Sequence, residues 1–448
     1  MSHRTLIIRR TVTLAGGLAL CVGGLAAGAG AATPAPGPVS HLRATAGVTS
    51  VTMTWSAPRA GSYSAVMVRR AVGTRAPASY RAGTLVGRVG SPRVSFVDRS
   101  VHASTTYAYA LFAYKGTSYS RAAVVTVSTK VAPLSAPKVL SDSSCPTSYP
   151  DAMASDGTNV FVGSAFMDSV CEFNAATGAI VRNLSGKPYL FHNVEAITVA
   201  AGNVFAANWA NDSITEFKAS NGAFEQILTG GSYGFNGPDA IVTAGSLVYV
   251  ANAIGNTVTV FNATTGAFVR LLSSPSYQFS DATAMAYDGT HVWVLNFSTP
   301  SVTEVTASTG AFVQVLSGGS YGFGAPASMV AAAGKVWVVN SSFFSDSLTE
   351  FSASTGAWIA TYKDASYQFD HPWGVAANAT HVWVTNSGIY NGTPGTTVTE
   401  LNASNGSLDH VLSGTSYAFD VPYTELLVGS VVWVTNAQND TITGFPAV

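Results

Sequence analysis

The sequence predicts an all-β protein, a small sandwich followed by a ring of repeated sheets. Three observations carry that prediction. First, one phrase recurs seven times: DSVCEF from Asp168, DSITEF from Asp212, NTVTVF from Asn256, PSVTEV from Pro300, DSLTEF from Asp346, TTVTEL from Thr396 and DTITGF from Asp440. The starts are 44, 44, 44, 46, 50 and 44 residues apart. A period of about 40–50 residues made of short β-type runs is what one four-stranded propeller blade per repeat produces. Second, the last copy stops after its third strand, while KVLSDSSCPTSYPDA ahead of the first copy matches the end of one repeat and the head of the next. Residues 138–141 are therefore expected to supply the missing outer strand and close a seven-bladed ring, leaving fewer free sheet edges. Third, the chain before the repeats alternates apolar and polar residues in short runs, as half-buried strands do.

Taken in order, residues 1–32 read as an export signal. Arg4, Arg9 and Arg10 form a positive lead, residues 14–25 a glycine-diluted apolar stretch, and Ala29-Gly30-Ala31 a small-residue cleavage site. No later stretch is long and apolar enough to span a bilayer, so the mature chain is expected to be released, secreted or held at the cell wall. Two cysteines remain beyond the signal, Cys145 and Cys171. In an exported chain this pair reads as a disulfide tying the entry strand to the first blade, the alternative being two buried thiols.

Residues 33–130 form the predicted sandwich, with runs VTSVTMTW, YSAVMVRR, RVSFVD, TTYAYALFAY and AAVVTVST. Trp55, the YSAVMVRR strand and Tyr107 at the head of a long late run come in an order that resembles the fibronectin type III family. That resemblance implies a core tryptophan, a tyrosine pinning a corner, and a spacer or docking module. Residues 131–137 are the linker, and 138–448 the propeller. Charge divides the same way. Residues 33–138 hold 13 Lys/Arg and one acid, Asp98, whereas residues 141–448 hold 6 Lys/Arg and 22 Asp/Glu. Such opposed halves point to separate domains with separate partners, and an exported, acidic main domain argues against nucleic acid.

Within one repeat, SYGFNGP is a loop, DAIVTA the inner strand, GSLVYVAN the second, NTVTVFNA the third, and TTGAFVRLL a turn with the outer strand. The turn glycines (Gly178, Gly222, Gly266, Gly310, Gly356, Gly406) suit a tight, positive-φ connection. The second-strand aromatics (Phe161, Phe205, Tyr249, Trp293, Trp337, Trp383, Trp433) are expected to fill the space between sheets. A glutamate in the third strand (Glu172, Glu216, Glu304, Glu350, Glu400) recurs too regularly to be catalytic and points to a structural job.

Function is sought where the copies disagree. Just after the proline-type position stand Asp151, Glu195, Asp239, Thr283, Ala327, Trp373 and Tyr423 in repeat order: acids early, aromatics late. Glu425 adds an acid, and the loops after the second strand add Phe166, Trp209, Phe297, Phe343, Phe344 and Tyr390. Rings beside carboxylates suit sugars, which stack on the first and hydrogen-bond to the second. His192 and His371 lie in the same type of loop, where a histidine is either a hydrogen-bonded surface residue or a ligand or proton carrier. The candidate ligand-binding set is Asp151, Glu195, Asp239, Trp209, Trp373, Tyr423, Glu425, His371 and Tyr390, with no catalytic residue, metal ligand or cofactor assigned.

The Pro-x-Ala entry and the VYVAN and VWVTN strands resemble seven-bladed NHL/YVTN and streptogramin-lyase-like propellers. The lyase resemblance implies a Glu-x-His metal site, which this chain lacks, and the related quinoproteins carry adjacent cysteines, also lacking here. The expectation is an exported monomer that binds an extracellular glycan or protein. The alternatives are a glycan-active hydrolase or lyase using Glu195 or Asp239 with His371, and a structural adhesive spacer.

Overall fold

The computed structural model describes residues 35–58, 63–103, 105–130, 134–141, 145, 147–342, 346–388 and 394–447. The expected signal, Tyr390, Phe343 and Phe344 lie outside the described residues.

Residues 40–128 form two facing sheets. One has three strands, Ser40–Ala46, Val51–Ser56 and Ser95–Asp98. The other is built on Ala65–Val72 and Thr106–Lys115. Alternation does the sorting: along VTMTWS the valine, methionine and tryptophan are buried and the residues between them exposed. Trp55 packs with Val51, Val66, Val68 and Tyr107 in one core. The Tyr107 hydroxyl accepts the His102 backbone N–H at 2.9 Å, pinning the chain just before its strand.

From Pro150 onward, seven four-stranded antiparallel sheets follow one another among the described residues, the first six with their strands in chain order. The third sheet, Pro238–Ala244, Leu247–Asn252, Thr257–Asn262 and Phe268–Leu272, shows the pattern. The seventh sheet has Pro422–Val428, Val431–Asn436 and Thr441–Pro446, and its fourth strand is Lys138–Leu140, with Ile442 opposite Leu140. Inner strands of successive sheets pack on one another, and that of the seventh packs on that of the first, Pro150–Ser155.

Both faces of each sheet are covered, so the second and third strands are buried almost throughout. Trp293, Trp337, Trp383 and Trp433 are wholly buried between sheets, as expected of that column. At the third-to-outer-strand turn of the third sheet, Asn262 Oδ1 accepts the Thr264 and Thr265 N–H groups. Gly266 follows at φ 69°, where a Cβ would stand 2.4 Å from Gln226 Nε2. The recurrent glutamates do have a structural job, and their partners come from their own sheet. Glu172 takes Asn159 and Arg182, Glu304 takes Gln314, and Glu350 takes Lys335 and Tyr362. Burial, only partly offset by Arg182, pushes the Glu172 carboxyl up to about 7.

The residue before each proline-type position has a left-handed backbone: Tyr149, Asn193, Asp281, Ala325, His371 and Val421 at φ 45–55°, and Gly237 at 63°. A side chain from the preceding sheet often holds its N–H. Asp168 holds Asn193, Asp212 holds Gly237, Asn256 holds Asp281 and Asp346 holds His371. Asp440 of the seventh sheet holds Tyr149 of the first in the same way, at 3.0 Å. The first residue of the recurring phrase is thus an inter-sheet staple.

Candidate functional site

The staple residues open onto one end of the molecule. Each second strand exits beside the entry to its own inner strand: Phe166 N–H donates to Ser148, Trp209 to Asn193 and Phe297 to Asp281. The inner-strand heads and the second-strand loops therefore share a face. On it Asp151, Glu195 and Asp239 stand half-buried at the heads of the first three inner strands. Burial raises the Asp151 carboxyl well above the ordinary carboxylate range; its hydrogen bond to Glu195 and the charges of Glu195 and Asp239 add to the rise. Asp239 is pushed up to about 8, again mainly by burial, then by Glu195 and Asp281. Burial thus favours the protonated form of Asp151 and Asp239, at the heads of the first and third inner strands.

The sixth and seventh sheets present rings instead. Trp373 stacks on Tyr423, centroids 4.8 Å apart at 23°, and Tyr423 meets Tyr149 edge-on at 5.4 Å. Tyr149 continues to Phe166 at 5.4 Å, and Phe166 is 72% exposed. Burial lifts the Tyr423 hydroxyl well above its usual range, helped by the negative charge of Asp151. The early acids and late aromatics therefore meet across the junction of the first and seventh sheets. Tyr149, absent from the expected set, joins them. Its signal was a large ring in a column that elsewhere holds Asn, Gly, Asp, Ala, His and Val.

A local irregularity sets the two late rings. In all seven sheets the inner-strand register slips by one residue after the proline position. In the first five a single inner-strand residue is left unpaired there, whereas in the sixth and seventh two are, Trp373–Gly374 and Tyr423–Thr424, opposite Thr385 and Thr435. The freed N–H groups of Gly374 and Thr424 donate to Thr385 Oγ1 and Thr435 Oγ1 at 2.8 and 3.1 Å. The second strands of the other five sheets carry Gly163, Ala207, Ala251, Leu295 and Val339 there. Glu425 belongs to this arrangement rather than to the open rim. Its Oε1 accepts the Thr385 N–H at 2.8 Å, and the carboxylate fills the space left by Gly374, where a Cβ would lie 1.9 Å from Oε2. Burial raises its pKa well above the usual range despite the Thr385 bonds.

His371 is also not a surface residue: it is 3% exposed, with a left-handed backbone between the Asp346 carboxylate and Ser387, which donates to its carbonyl. Asp346, Asp370 and His371 bring their ligand-type atoms within 4.8 Å of one another, a donor set that suits a divalent cation. His192 is exposed. Trp209, 37% exposed, lies on the same face in a single 3-10 turn, near Ile254, which is 58% exposed. Cys145 and Cys171 are joined by a disulfide, which favours an oxidising setting, and no helix among the described residues is long and apolar enough to cross a membrane.

Solved structures share this architecture. Virginiamycin B lyase from Staphylococcus aureus matches with a TM-score of 0.55 at 16% identity, over 70% of this chain and 99% of that one. A streptogramin B lyase matches at 0.53 and 14%, over 69% and 97%. The β-propeller domain of Cps50 (Swd1) from Myceliophteria thermophila matches at 0.53 and 12%, over 69% and 98%. The fold is a β-propeller. At these identities the likeness is one of fold alone. No protein-family model and no curated protein matches the sequence.

Proposed function

We propose that this is an exported binding protein. A fibronectin type III module, residues 33–130, precedes a seven-bladed propeller closed by residues 138–140, and the face bearing Asp151, Glu195, Asp239, Trp373 and Tyr423 takes an extracellular glycan. The observation that carries this reading is the meeting of the half-buried acids, Asp151 foremost, with the Trp373–Tyr423–Tyr149 rings. Carboxyls that hold protons both donate to and accept from hydroxyls, and stacked rings take the C–H faces of a sugar.

Glycoside hydrolysis fits less well. Its carboxyl pairs stand about 5–9.5 Å apart, whereas Asp151 and Glu195 are hydrogen-bonded to each other. A lyase reading, drawn from the names of two similar structures, lacks the Glu-x-His pair in this sequence. One observation favours a protein ligand instead: Phe166, Ile254 and Phe297 leave 72, 58 and 42% of their surface exposed along the same face. Glycan-array binding of the full chain decides between them. Glycan binding that falls at least tenfold in Trp373→Ala is expected; no retained glycan overturns the glycan reading in favour of protein contact.

A further inference from the structure

The sandwich ahead of the propeller carries an inference of its own, independent of the propeller site. Between residues 33 and 138 there is a single carboxylate, and it is internal. Asp98 is 2% exposed and is engaged by Arg70 at 2.8 Å, by the Tyr109 hydroxyl at 3.0 Å, and by the Ser100 N–H and hydroxyl. The surface of this module therefore has cations and hydroxyls but no acid to balance them. Ten of the 12 cations in residues 33–130 are arginine, the side chain whose planar fork matches phosphate and carboxylate oxygens.

One face concentrates the right groups. On the three-stranded sheet Arg43 stands opposite Thr54, and Thr54 opposite Ser95, making an exposed row straight across the strands. Strand spacing puts Arg43 about 10 Å from Ser95. Arg93 and Arg99, both exposed, flank the Ser95–Asp98 strand at its two ends, and Thr52 lies exposed on the neighbouring strand. The exposed positions of these strands hold no Phe, Trp or Tyr and one large apolar side chain, Val97. That disfavours single-stranded nucleic acid, which needs rings for its bases to stack on, and a single valine offers little to a membrane surface, which takes several apolar anchors. A flat strip of arginines and hydroxyls fits a hydrophilic chain with repeated negative charge.

We propose that the outer face of this three-stranded sheet docks a linear hydrophilic polyanion through Arg43, Arg93 and Arg99, holding the propeller near an acidic polymer. The test measures binding of the full chain to inorganic polyphosphate and to poly-L-glutamate across a salt series. Binding to either polymer supports the assignment, and the preferred one identifies the anion as phosphate or carboxylate. Arg43→Ser/Arg93→Ser/Arg99→Ser should weaken binding at least tenfold and lower the slope of log K against log salt by about 2, at about 0.7 per lost contact. Arg75→Ser/Arg81→Ser/Arg121→Ser removes the same charge elsewhere on the module and should cost less than threefold. Equal losses in the two triple variants would reduce the effect to diffuse charge and overturn the proposal. So would a failure of both polymers to bind at low salt, or binding to anionic vesicles alone.

Discussion

The junction between the seventh and first of the four-stranded sheets differs from the other six in one respect that decides how it is held. In blades two to seven, a third-strand threonine hydroxyl donates to the carbonyl of a tyrosine in the entry loop: Thr215 to Tyr189, Thr259 to Tyr233, Thr303 to Tyr277, Thr349 to Tyr321, Thr399 to Tyr367 and Thr443 to Tyr417. In the first blade the same two positions hold Cys171 and Cys145, and the link is covalent. Ordinary junctions join blades already tethered by a short loop. The seventh-to-first junction is tethered too, by the chain after Lys138–Leu140, but that strand joins the rest of the seventh sheet by pairing alone, and Thr147 and Tyr149 reach Asp440 nearly 300 residues away. The comparison teaches that the covalent bond fixes the segment that follows Lys138–Leu140, the one outer strand whose neighbour in its own sheet is held by pairing alone. This junction is also where the acids and aromatics of the candidate site meet.

The strongest way to break the comparison is to remove the disulfide. Cys145→Ser/Cys171→Ser should destabilise the propeller by about 3 kcal/mol, as for a loop of this length, and reductant should do the same to the wild type. Thr259→Val, which removes only the equivalent hydrogen bond in blade three, should cost about 1 kcal/mol. Thermal midpoints with and without reductant check both. Equal losses would mean that the junction is no weaker than its neighbours.

A second, smaller effect concerns pH and should be indifferent to the disulfide. Asp239 lies on blade three, and its carboxyl, ordinarily near 3.8, is raised to about 8 in the folded chain. The folded state therefore holds this proton more tightly than the unfolded one. The stability it contributes is full below about pH 4 and is lost as pH rises towards 8. Asp239→Asn should remove that part of the decline and gain about 1–2 kcal/mol at pH 8. The unscreened shift would suggest more, but the half-buried side chain keeps some solvent. Denaturation midpoints at pH 4, 6 and 8 test it; a variant whose pH profile parallels the wild type's would contradict the assignment.

Much of this was legible because it is local. Repeat spacing, buried second-strand aromatics and turn glycines each follow from a few adjacent residues, and the folded chain has them where the pattern put them. Even the acid and aromatic columns could be read, since each is defined against its own repeat. Their meeting could not, because it depends on which sheet lies beside which in the folded chain. Glu425 looked like one more rim acid because its partners, Gly374 and Thr385, come from a different repeat. His371 looked exposed because loop histidines usually are, while the Asp346 staple that draws its backbone inward starts 25 residues earlier.

The staple supplies the last and smallest prediction. Asp440→Ala and Asp212→Ala each delete one acceptor for a backbone N–H, on Tyr149 and Gly237 respectively, and each should cost about 1 kcal/mol. Asparagine does the same task at Asn256, at φ 50°, so Asp440→Asn should be close to neutral. The two alanine variants should part company once the disulfide is gone. In the Cys145→Ser/Cys171→Ser background Asp212→Ala keeps its cost, because Gly237 lies far from the segment that the disulfide restrains. Asp440→Ala should then cost about 1 kcal/mol more than before, since it and the disulfide restrain the same segment and their losses do not add independently. A double-mutant cycle on thermal midpoints measures that excess. Strict additivity would show that the staple and the disulfide hold the junction separately.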